Sequence, residues 1–113
     1  MKTKRKQYRQ GYVFIIELSK KNVPSDAIEL KPEDDKHILA RGEATGHHHS
    51  VAANKAHMFQ AMQNGIQLMV LQVIAENAKV IHQEHPPIDL PIGDYQIIRQ
   101  QEYTPQGWVR VAD

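Results

Sequence analysis

The chain contains no cysteine, which excludes disulfide cross-links, thiolate metal ligands and a cysteine nucleophile, so any metal must be held by nitrogen and oxygen. Long hydrophobic runs are missing too. The apolar stretch from Tyr12 to Leu18 is too short to span a bilayer and lacks the small-residue cleavage site of a signal peptide, so cytoplasmic residence is the default expectation. Nor is there an excess of one charge. With 14 Lys+Arg against 13 Asp+Glu the formal net charge is +1, which argues against a domain built to neutralise phosphates along a nucleic acid. Lys2, Lys4, Arg5, Lys6 and Arg9 nevertheless crowd residues 1–10, and this run reads as a solvated basic arm. Removing Met1 to Arg9 is therefore expected to leave the fold intact. Other catalytic signatures are absent as well: there is no Gly-X-Ser-X-Gly elbow, phosphate-cradling glycine loop or His-Glu-X-X-His helix.

What remains is an ordinary globular composition. At 113 residues, 41% hydrophobic and 24% charged, the chain is sized for one domain over residues 11–113. Gly11 to Leu18 combines aromatic and β-branched residues in a short run and predicts a strand buried on both faces. Ile28 to Leu30, His37 to Ala40, Lys79 to His82, Tyr95 to Tyr103 and Trp108 to Val111 predict further short strands between turn-forming residues. Ile66 to Ile74 is the most apolar stretch and predicts a central strand. Ala52 to Met62 carries helix-favouring residues, but Asn64-Gly65 between two apolar runs is a strong hairpin turn and favours a strand there. Met58, Phe59, Met62 and Met69 read as core. Together these features predict a mainly β fold, a small barrel or sandwich of short antiparallel strands, with room for one short helix.

Two histidine clusters stand out among the 7 histidines. On an extended strand His47 and His49 point to one face and His48 to the other, so two imidazoles can meet one ion. His82 and His85 lie three apart, and a bend before Pro86-Pro87 can turn both inward. If the clusters converge, His47, His49, His82 and His85 offer up to four nitrogens to a divalent transition metal such as zinc, iron, manganese or nickel. Glu43 and Glu84 are the accompanying carboxylates, as ligands, as orienters of the imidazoles or as a general base. His37 and His57 carry no such pattern and read as structural or exposed.

The stretch Gly42-Glu43-Ala44-Thr45-Gly46-His47-His48-His49, followed by the run from His82 through Glu84, His85, Pro86 and Pro91 to Tyr95, resembles a family of small uncharacterised bacterial and phage proteins. The resemblance extends from the Gly11 strand to Val111-Ala112-Asp113 and implies His47, His49, His82, Glu84 and His85 as its recurring elements. Gly42, His47 and His49 are also similar to the first half of a cupin metal motif, which implies a metal inside a β-barrel. Two functional classes follow. One is a metal-binding β-barrel protein serving as a hydrolase or other metal-dependent enzyme on a small-molecule or protein ligand. The other is a non-enzymatic accessory or structural protein of a phage or mobile element, its histidines shaping a binding surface or the subunit contact of a homo-oligomer.

Overall fold

The computed structural model describes residues 6–19, 23–41 and 46–99, together with the backbone strands at 101–104 and 107–110. The described residues form twelve strands: β1 (Gln7–Gln10), β2 (Val13–Leu18), β3 (Ile28–Leu30), β4 (Lys36–Arg41), β5 (His48–Ala52), β6 (Ala56–Gln63), β7 (Ile66–Val73), β8 (Ala78–Val80), β9 (Ile88–Leu90), β10 (Gly93–Arg99), β11 (Gln101–Thr104) and β12 (Gly107–Arg110). The helix that the composition of Ala52 to Met62 allowed is not formed. Asn64 and Gly65 both take positive φ, 53° and 78°, which is the backbone of a type I′ turn. That turn sets Gln63 opposite Ile66 and folds β6 onto β7 over their whole length. Local turn chemistry has overridden helix propensity. No helix among the described residues is long and apolar enough to cross a membrane.

Six strands form one antiparallel sheet in the order β1-β2-β10-β7-β6-β3, with β7 in its interior as its composition predicts. Among the described residues no pairing joins edge strand β1 to edge strand β3, so of the two expected architectures the layered one is formed and the closed barrel is not. The second layer consists of the β4-β5 and β8-β9 hairpins. These hairpins are tied by reciprocal backbone bonds between Ser50 and Ile81, 3.0 and 2.9 Å long.

Period-2 alternation builds the core between the layers. Val13 and Ile15 of β2, Leu71 and Val73 of β7, and Tyr95 and Ile97 of β10 meet Leu39, Val51, Val80 and Leu90 from the hairpins. Met58 and Met69 join this cluster. Met62 does not, being 60% exposed. It shares the parity of Met58 but pairs with Gln67 close to the Asn64-Gly65 turn, while Phe59 takes the opposite parity along β6.

Two features of this architecture position the candidate site. The first is β1, because the final residues of the basic stretch pair with β2 from Gln7↔Ile16 to Gln10↔Val13. Tyr8 packs edge-on against Tyr95 with ring centroids 6.2 Å apart, and Gln10 is 3% exposed. The second is the β8-β9 hairpin. Its register, Val80↔Ile88, makes residues 81–87 a loop that carries His82, Glu84 and His85 and closes at Pro86-Pro87.

Candidate metal centre: a histidine cluster between two hairpins

The two histidine clusters lie side by side. Ring centroids are 4.3 Å apart for His49 and His82, 4.6 Å for His82 and His85, 5.6 Å for His47 and His82, and 5.9 Å for His49 and His85. His49 is fully buried on β5 and His82 is 8% exposed, whereas His47 precedes β5 and faces outward in part. His48 belongs to the other face. Its Nδ1 donates to the Gly46 carbonyl at 3.0 Å and its Nε2 meets Lys36 Nζ at 3.4 Å. Glu43 lies outside the described residues.

Hydrogen bonds sort the ring nitrogens. The amide nitrogen of Gln10 donates to the carbonyls of Val80 at 3.1 Å and Pro86 at 2.9 Å, which leaves its oxygen facing His49 Nδ1 at 2.8 Å. An amide oxygen only accepts, so His49 carries its proton on Nδ1 and the neutral ring has its lone pair on Nε2. His47 is set the same way, because its Nδ1 donates to the Glu84 carboxylate at 3.0 Å. Metal-bound histidines share this arrangement, one ring nitrogen bonded to an oxygen acceptor and the other presented to the ion. His82 is the exception. Its Nδ1 accepts the Glu84 backbone N–H at 3.0 Å, which puts the proton of the neutral ring on Nε2. His85 Nε2 is buried with no hydrogen-bond partner among the described residues.

As the side chains lie, no three His, Asp or Glu groups among the described residues stand in metal-coordinating positions. An ion therefore requires these rings to turn about χ2. Their spacing suits that adjustment: with nitrogen about 2 Å from a tetrahedral ion, neighbouring imidazole centroids fall on the order of 5 Å apart. Tyr12, almost fully buried, stands edge-on to His49 at 5.4 Å and hydrogen-bonds the Arg41 carbonyl. It thereby closes the inner end of the cluster.

Residues 9–100 match a family described as a domain of unknown function, DUF8820. The chain belongs to this family. No curated protein and no solved structure matches it. The DUF8820 match begins in β1 and runs through β10, so it contains Gln10, Tyr12 and all four clustered histidines, while β11 and β12 lie beyond it.

Two histidines stand apart from the cluster. His57 pairs with Glu29 at 2.8 Å on the surface. His37 is 3% exposed, donates Nε2–H to the Ala56 carbonyl at 3.1 Å and buries an Nδ1 with no hydrogen-bond partner among the described residues. Burial holds its pKa below the ordinary 6.5, since a charged ring there loses its water. As the pH falls below 6.5 the unfolded chain takes up a proton that folded His37 refuses, so stability falls with acid until the lowered folded pKa is passed. Tm measured against pH should show this slope, and His37→Gln, which keeps a donor for Ala56, should flatten it. An unchanged slope in the variant would assign the acid sensitivity elsewhere.

Proposed function

We propose that this domain binds one divalent transition metal between the β4-β5 and β8-β9 hairpins, through three of the four imidazoles of His47, His49, His82 and His85. The observation that supports it most is the packing of four imidazoles at 4.3 to 5.9 Å, two of them with Nδ1 donated to an oxygen. Imidazole nitrogens favour zinc, nickel or iron over magnesium or calcium. Glu84 acts on His47 as an orienting carboxylate. His47 and Glu84 form the solvent side, where an exchangeable water would complete the coordination of a hydrolytic centre.

The second reading is an accessory protein, of a phage or mobile element, in which the rings pack without an ion. The Glu84 N–H bonded to His82 Nδ1 favours it, because His82 then has no lone pair to offer. Metal analysis of tag-free protein after zinc or cobalt supplementation separates the two. One ion per chain is expected, and saturation at about a thousand times Kd should add roughly 4 kcal/mol to stability. His47→Ala and His85→Ala should each weaken that ion, and His48→Ala should not. Less than a tenth of an ion per chain after supplementation would exclude the metal reading.

A further inference from the structure

One polar side chain that joins several segments beside the cluster is not a histidine. Gln10 comes from an edge strand outside both histidine motifs, yet its amide reaches three separate segments: His49 on β5, Val80 at the end of β8, and Pro86 at the close of the histidine-bearing loop. Its partners lie 39, 70 and 76 residues away along the chain. A glutamine supplies two donors and one acceptor, and the two carbonyls and the one ring N–H use them in matching sense. Asparagine is too short by a methylene to span the same groups from β1. Leucine or methionine fills the space but leaves a ring N–H and two carbonyls without this partner.

We infer that Gln10 is the positioning residue of the histidine site: it fixes His49 as the Nδ1–H tautomer and docks the 81–87 loop so that His82 and His85 stand against that ring. The inference deepens the metal reading above and rests on it for its functional consequence, but the tautomer and the docking are properties of the metal-free protein. Residues that orient a metal-bound imidazole in this way commonly cost about ten- to a hundredfold in metal affinity when lost.

The test uses full-length, metal-free, 15N-labelled protein and long-range 1H–15N correlation spectra, which read the protonated nitrogen of each imidazole directly. In the native chain His49 should show a protonated Nδ1 and His82 a protonated Nε2. A native His49 protonated on Nε2 overturns the inference without any variant. In Gln10→Met, His49 should become a mixture of tautomers, and amide exchange in residues 81–87 should quicken. Gln10→Glu keeps an acceptor for His49 but loses both donors, so it should restore the His49 tautomer and leave the loop loosened. A Gln10→Met spectrum with the native His49 tautomer and native loop protection overturns the inference. Zinc titration of the same samples then separates the two proposals. A tenfold or greater loss of affinity in Gln10→Met supports both. Native-like zinc affinity in Gln10→Met, with the tautomer lost, overturns the functional part of the inference. If neither native nor variant protein binds zinc while the tautomer shifts as expected, the positioning role stands and the metal reading falls.

Discussion

His49→Ala should destabilise the protein by about 3 kcal/mol, lowering Tm by roughly 10 to 15 °C, whereas His48→Ala should change stability by less than about 0.5 kcal/mol. The two residues are neighbours in sequence, and the difference is entirely one of face. His49 is fully buried against Tyr12, His82 and His85. Truncating it opens a cavity in a packed region and also strands the Gln10 oxygen, an orphaned buried acceptor that costs about 1 to 3 kcal/mol by itself. Near the surface the His48 ring meets the Gly46 carbonyl and makes a long contact to Lys36, and its backbone N–H bond to Gln83 survives the substitution. Thermal unfolding of both variants in chelator decides the matter. Equal, small effects would show that the His49 ring is not part of the packed structure. The chelator matters, because any stabilisation by bound metal would otherwise be added to the packing term.

The sequence was informative where a local rule carried the structure. The β-branched and aromatic run of β2, the apolar β7 and the Asn64-Gly65 turn are each decided within a few residues, so strands could be read there, while helix-favouring residues over Ala52 to Met62 left the first arm of the central hairpin open between helix and strand. Alternation also separated His48 from His49. Sheet closure was not legible, because short strands with closely spaced turns serve a barrel and a layered sheet equally well. Gln10 gave no signal. It sits in a polar, basic stretch whose four-residue strand shows no apolar alternation, and its partners are remote in sequence. The tautomers were equally hidden, since they depend on which oxygen or N–H meets each ring in the folded chain. In the histidine site, therefore, composition pointed to the imidazoles and to Glu84, which orients His47, but the residue that orders His49 arrives through the three-dimensional pairing of β1 with β2.

That pairing makes the N-terminal strand the place where fold and site depend on each other most strongly. From the charge pattern alone, removing Met1 to Arg9 is harmless. With β1 in the sheet, the expected result is the opposite. The deletion takes away Gln7, Tyr8 and Arg9 from their pairing with Ile16, Ile15 and Phe14, exposing one edge of β2. It also removes Tyr8 from its edge-on contact with Tyr95 and the Arg9 guanidinium from above the Phe14 ring, 5.1 Å away. A few ladder hydrogen bonds at about 1 kcal/mol each, and the burial of part of a tyrosine at roughly 1 to 2 kcal/mol, give a loss of about 3 to 5 kcal/mol. For a domain of this size that corresponds to a Tm lower by about 10 to 20 °C. Gln10 is retained in such a protein but becomes its first ordered residue, no longer held from its N-terminal side. The deletion should therefore also loosen residues 81–87, read by faster amide exchange there than in β7. A chain beginning at Lys6 is the control, since it keeps the whole of β1. If the protein lacking residues 1–9 melts within about 2 °C of that control, and its 81–87 loop exchanges no faster, then β1 neither stabilises the sheet nor anchors the histidine site.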